Sequence, residues 1–176
     1  HGEVRVNRQI VGFKKVKFHT HENVGYGEVA LPELQMHSTA FWLTVPEEVV
    51  STTSAPRVEV VDAVRALGSA MHAVACVGLM IDPRDLGRTL GSKSGRTGPV
   101  IDPTVYLYDE IPGGVGLAPR LYEERTELVA RARRLIEGCG CEDGCPGCIG
   151  LGLGLGLPRL KPRRRLALSV LDALGL

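Results

Sequence analysis

The run Cys139-Gly140-Cys141-Glu142-Asp143-Gly144-Cys145-Pro146-Gly147-Cys148 crowds four cysteines into ten residues. Thiolates spaced C-x-C-x3-C-x2-C reach a single tetrahedral ion, most often zinc. The second half, Cys145-Pro146-Gly147-Cys148-Ile149-Gly150, has the form of a zinc knuckle, whose two-residue gap lets both sulfurs grip one ion. The neighbouring glycines permit a tight backbone that brings amide N–H groups toward sulfur. The first pair, Cys139 and Cys141, is closer than the usual gap, so the site departs from a standard zinc ribbon. Zinc is the expected ion, with an iron–sulfur cluster or disulfides as alternatives. Four thiolates leave no open position for water, so a structural staple is expected rather than a catalytic metal.

The surrounding chain has 176 residues, 44% hydrophobic and 23% charged, enough for one domain over 1–176 with its own core. Net charge is +1, so any nucleic-acid binding has to come from a local patch. No stretch reads as a membrane span and no signal-peptide pattern is present. Clustered cysteines, with Cys76 alone in an apolar run, suit a reducing cytosol and a metal site, and a cytoplasmic, nucleoid-associated location is expected. A first residue of His1 rather than Met is expected of a fragment, a processed form or a trimmed chain.

Upstream of the cysteines, residues 1–45 read as β. Val4/Val6, Val16/Phe18 and Thr39/Phe41/Leu43/Val45 alternate with other residues, giving two long strands, a polar loop around His19 to Glu28, and a further strand ending before Pro46. Val58, Val61, Val64, Leu67, Met71 and Val74 recur at helical steps, predicting a helix over 58–80 whose all-apolar second half lies at the core. Residues 87–99 are rich in Gly, Ser and Arg and read as a mobile loop. A strand follows at Thr104–Tyr108, then a glycine turn, then a helix over 120–137 with Leu121, Leu128, Ala132 and Leu135 on its apolar side. The segment 58–137 is thus helix–strand–helix, 138–150 the zinc loop, and 163–174 a terminal helix. The Leu-Gly repeat at 151–157 is too short for a repeat fold. The fold class is α+β: N-terminal antiparallel strands, a central buried helix, a further strand and helix, and a four-cysteine zinc site.

Other candidate sites read as ordinary structure. His72 and Cys76 share a helix face, but no third group orients them as a nucleophile pair. His19 and His21 lie in a polar loop, and His37 is distant in sequence. Pro112-Gly113-Gly114-Val115-Gly116 sits where a strand meets a helix, a context that binds phosphate, yet it lacks Gly-Lys-Ser/Thr and reads as a turn requiring positive φ. Asp82 and Asp85 read as helix-terminus residues, and Asp109 with Glu110 as turn residues. No catalytic residue is assigned. Arg159, Lys161, Arg163, Arg164 and Arg165 form a basic run beside the metal segment, with Arg131, Arg133 and Arg134 just before it. This run either tracks a phosphate backbone or forms a solvated face.

Taken in order, Val11-Gly12-Phe13-Lys14-Lys15, Leu31-Pro32 before Thr39-Ala40-Phe41-Trp42-Leu43, Asp82-Pro83-Arg84-Asp85-Leu86-Gly87, Tyr108-Asp109 with Pro112-Gly113-Gly114-Val115-Gly116-Leu117, and the cysteine run resemble one family. It is the C-terminal zinc-binding module of MrfA-type superfamily-2 DNA helicases, the bacterial mitomycin-repair helicases. The likeness runs from about Gly2 to Gly150 and more loosely through the terminal helix. It implies one zinc ion on the four cysteines and a position after two RecA-like motor domains of an ATP-dependent 3′–5′ helicase. It also implies DNA, single-stranded or helicase-engaged, as partner in repair. ATP and Mg²⁺ then belong to the parent's motor, since this chain has no Walker A sequence or Asp-Glu-x-His box. The rival classes are a zinc-stabilised protein-interaction module without DNA binding and an iron–sulfur protein.

Overall fold

The computed structural model describes residues 1–94, 101–150, 152 and 162–176. The N-terminal half supplies β1 (Gly2–Arg8), β2 (Gly12–Val16), β3 (Asn23–Glu28) and β4 (Leu34–Thr44). Two helices follow, α1 (Glu47–Thr52) and α2 (Arg57–Leu79), then β5 (Leu86–Ser94) and β6 (Ile101–Asp109). The C-terminal part is helical: α3 (Leu117–Glu123), α4 (Arg125–Gly138) and α5 (Arg163–Ala173). The class is α+β, as the sequence predicts.

The main sheet runs in the order β1-β4-β6-β5 with every pair antiparallel, and β2 and β3 form a separate hairpin inserted between β1 and β4. Period-two alternation turns Phe41, Leu43, Val105 and Leu107 to one face, opposed as Phe41↔Leu107 and Leu43↔Val105. Helix α2 covers that face, and Gly68 sets the approach: a Cβ there would stand 2.8 Å from Val105 Cγ1. On its far side α2 meets α4 and α5, so Val64, Leu67, Met71, Ile136, Leu166 and Leu171 share one apolar core.

Several expectations change. The polar loop at 19–28 contains β3, because Gly27 makes room for the Phe13 ring that lies over it. The expected loop at 87–99 begins as β5; residues 95–99 of it lie outside the described residues. Its glycines are what the pairing needs, since a Cβ at Gly87 would fall 2.3 Å from Tyr108 Cζ and one at Gly91 2.9 Å from Tyr106 Cε2. The single helix over 120–137 is two helices. The backbone breaks at Glu124 (φ −90°, ψ 12°), leaving α3 against β4 and β6 and α4 against α2. Helix α1 was not anticipated.

Helix α2 also corrects two readings. It is long and apolar enough to cross a bilayer by length and composition. Within this fold it is a core helix, mostly buried. Yet its second half is not buried all round: Val77 is 80% exposed and Met80, in the left-handed cap that ends the helix, is 91% exposed. The Leu-Gly repeat at 151–157 lies outside the described residues except for Gly152.

Candidate metal centre

Helix α4 ends at Gly138, and Cys139 takes an extended conformation that turns the chain into the cysteine loop. The second pair sits on a tight turn in which the N–H groups of Cys148, Ile149 and Gly150 all donate to the Cys145 carbonyl at 3.1 Å. Gly144 opens that turn at φ +114°, where a Cβ would come within 2.2 Å of Ile149 Cδ1. Ile149, fully buried, pins the loop to the core.

This backbone gathers all four sulfurs within 4.8 Å of one another. Cys139 and Cys145 Sγ are 3.6 Å apart, Cys141 and Cys148 3.5 Å, and Cys145 and Cys148 3.7 Å. Tetrahedral zinc with bonds of about 2.3 Å sets its sulfurs about 3.8 Å apart, so the donor set fits one ion. Disulfide sulfurs bond at about 2.05 Å, and these cysteines are free thiols. The Cys145 N–H donates to Cys148 Sγ at 3.3 Å, the amide-to-sulfur contact expected of a knuckle. As thiols the four share their protons unequally. The Cys141 amide, followed by its thiol, lowers the Cys139 pKa to about 7, while the bond to Cys139 raises Cys141 to about 12. Cys139, Cys141, Cys145 and Cys148 would hold the ion, which would supply a cross-link with no open position for catalysis.

The centre is a joint between helices. Asp143, between the two cysteine pairs, caps α5: its Oδ1 accepts the Arg163 N–H at 2.6 Å and its carbonyl accepts the Arg164 N–H at 3.1 Å. Arg164 returns to α4, donating to the carbonyls of Ile136 (2.7 Å), Glu137 (2.7 Å) and Cys141 (3.1 Å). Arg163 points inward, donating to the Ile149 and Gly150 carbonyls at 3.1 and 2.7 Å and pairing with Asp62 of α2. Loop, α2, α4 and α5 are therefore tied together on one side.

That geometry redistributes the basic residues. Arg163 is 3% exposed and held inside the fold, and Arg164 is spent on helix carbonyls, so neither side chain faces outward as a phosphate contact would need. Arg165 is exposed. Arg159 and Lys161 lie outside the described residues. Arg131 and Arg134 both pair with Glu127, and Arg133 with Glu137 and Asp172, so these three do not serve the thiolates. Asp62 and Asp143, missed in the sequence reading, carry no local signal: their partners lie 101 and 20 positions away.

Asp109 is fully buried and accepts the N–H groups of Val115, Gly116, Leu117 and Ala118 at 2.6–3.2 Å. Gly113, Gly114 and Gly116 all have positive φ, so the glycine turn serves its own carboxylate and not a phosphate. His72 Nε2 bonds the Leu86 carbonyl at 2.8 Å and lies 3.8 Å from Cys76 Sγ, and burial pushes the Cys76 thiol pKa up. Asp82 accepts the Arg84 N–H and guanidinium, which lowers its pKa to about 2. His19 lies in the exposed hairpin turn with His21, which has φ 53°.

Scaffold and site together define a zinc-binding module: a sheet-backed helical layer whose C-terminal helix is held by a four-cysteine centre. Residues 67–149, which include all four cysteines, match the family model described as the MrfA Zn-binding domain. The chain is 35% identical over 153 residues to the ATP-dependent helicase YprA of Bacillus subtilis, covering 85% of this chain and 19% of the helicase. It is 24% identical to the ATP-dependent helicase hrq1 of Schizosaccharomyces pombe, over 84% of this chain and 15% of that protein. Among solved structures, the DUF1998 helicase MrfA bound to DNA superposes with a TM-score of 0.66 at 30% identity, over 98% of this chain and 22% of MrfA. MrfA bound to DNA and AMPPNP gives 0.60 at 31% identity. Residues 67–149 thus match the MrfA Zn-binding domain, and the whole chain is similar to the corresponding part of the MrfA-type helicases. It spans about a fifth of the length of these helicase relatives.

Proposed function

We propose that this chain is the C-terminal accessory domain of an ATP-dependent 3′–5′ DNA helicase acting in DNA repair, where it contacts DNA and couples it to RecA-like motor domains. The observation that carries the reading is the likeness along 98% of the chain to a helicase described as bound to DNA, with the four-cysteine centre in place. One zinc per chain locks the helical end, and ATP with Mg²⁺ acts in the motor. Coupling is supported by apolar groups left outside: Phe18 is 87% exposed, Tyr26 75%, Val77 80% and Met80 91%. Such groups suit docking against further domains of the same polypeptide. The cellular location that follows is cytoplasmic, with the nucleoid.

The same exposed groups favour a second reading, a zinc-stabilised docking module without DNA affinity. Titration of the 176-residue chain with fluorescent single-stranded DNA over a salt series separates the two. Binding that weakens steeply with salt supports the DNA reading. No binding, with retained association to the motor domains, supports docking alone.

A further inference from the structure

Between α2 and the edge strand β5 lies a cleft of ≈ 440 Å³ lined by Arg65, Gly68, Ser69, Arg88, Thr89, Leu90 and Val105. Arg88 crosses the Gly68 position, its Cδ 3.5 Å from where a Cβ would stand, so the missing side chain leaves the guanidinium room beside α2. Two arginines therefore share one recess. Among the described residues neither guanidinium has a carboxylate or hydrogen-bond partner. Residues 92–101, 151 and 153–161 contain no Asp or Glu, so none of them supplies a carboxylate. The nearest acid along α2, Asp62, is committed to Arg163. By contrast Arg8, Arg57, Arg84, Arg120, Arg131, Arg133 and Arg134 all meet acids.

Like charges held together without a counter-ion repel, and an anion between them removes the repulsion. Guanidinium forks match phosphate oxygens in pairs. The Arg88 pKa is lowered from its ordinary value by partial burial and then by Arg65, consistent with an uncompensated pair. Ser69 adds a hydroxyl to the α2 wall of the cleft. The far wall joins the metal turn: a Cβ at Gly150 would meet Ser69 Oγ at 2.9 Å.

We propose that the Arg65–Arg88 cleft is a phosphate-binding site. On the DNA reading above, its occupant is a phosphodiester of a bound strand; free phosphate or a nucleotide offers the same chemistry.

The test uses the 176-residue chain, its Arg65→Gln and Arg88→Gln forms, and the double variant, each first checked for unchanged zinc content and melting temperature. Nε–Hε resonances of arginine are followed during a pyrophosphate titration. Saturable shifts of the Arg65 and Arg88 signals, with the remaining arginine's shift weakened in each single variant, support the site; no saturable shift overturns it. In parallel, the salt dependence of single-stranded DNA binding is measured. Each phosphate neutralised adds about 0.7 to the log–log slope, so the double variant, which loses the one phosphodiester held in the cleft, is expected to lose about 0.7. That loss identifies the occupant as a DNA phosphate. An unchanged slope with intact pyrophosphate shifts assigns the cleft to free phosphate or a nucleotide. Pyrophosphate shifts in a chain that binds no DNA uphold the cleft while removing the DNA reading.

Discussion

Arg163 Nε stands 3.2 Å from Asp62 Oδ2, and the two side chains are only 3% and 1% exposed. One end of the C-terminal helix is thus joined to the central helix through a buried charge pair. The same guanidinium holds the carbonyls of Ile149 and Gly150 at the end of the metal turn. Removing one partner strands the other charge in the interior, so Arg163→Ala is expected to cost about 3–5 kcal/mol. Replacing both, as Asp62→Leu with Arg163→Met, removes the stranded charge and is expected to cost less than Arg163→Ala alone. Urea denaturation of the three proteins checks the order; a double variant weaker than Arg163→Ala would refute it.

The metal assignment predicts two unlike serines. Cys145→Ser removes a ligand and is expected to lose zinc and lower the melting temperature, because a structural ion contributes its binding energy to folding. The rest of the apolar core should persist, so α5 and the loop loosen before the sheet. Cys76 lies on α2, outside the cysteine cluster, and Cys76→Ser should keep a full complement of zinc. Elemental analysis of both proteins decides, and zinc retained by Cys145→Ser would sink the ligand assignment.

Helix α2 presents a sharp contrast along its own length. Leu67 is fully buried while Val77 is 80% exposed. Leu67→Ala is expected to cost about 2–5 kcal/mol through lost burial and a residual cavity. Val77→Ala should stay within about 0.5 kcal/mol in the isolated chain. Equal losses at both positions in chemical denaturation would mean that the helix is seated differently.

Gly68→Ala tests the contact between helix and sheet. Helix propensity alone favours alanine by about 1 kcal/mol. The new Cβ, however, would meet Val105 Cγ1 at 2.8 Å, and overpacking of this kind costs about 1–3 kcal/mol. A net destabilisation of about 1 kcal/mol is therefore expected. A stabilised variant would show that β6 yields freely to the helix.

The sequence by itself determined what is written over short spans. Four cysteines within ten residues mark a metal-sized cluster, because one short loop can turn all four sulfurs toward a single ion. The apolar steps from Val58 to Val74 mark α2, the run Thr104–Tyr108 marks β6, and Asp109 beside its glycines marks a turn that uses its own amides. Tertiary structure decided whatever depends on a distant partner. Strand β5 looks like a loop until Tyr106 and Tyr108 lie across Gly91 and Gly87. Arg163 and Arg164 resemble surface charge until Asp62, Asp143 and the carbonyls ending α4 close around them. Val77 and Arg88 are likewise defined by what does not reach them. Spacing along the chain encodes local geometry. The burial of a charge, or its lack of a partner, is set by which remote segments meet, and this chain brings them together only when α5 folds back onto α2 and α4.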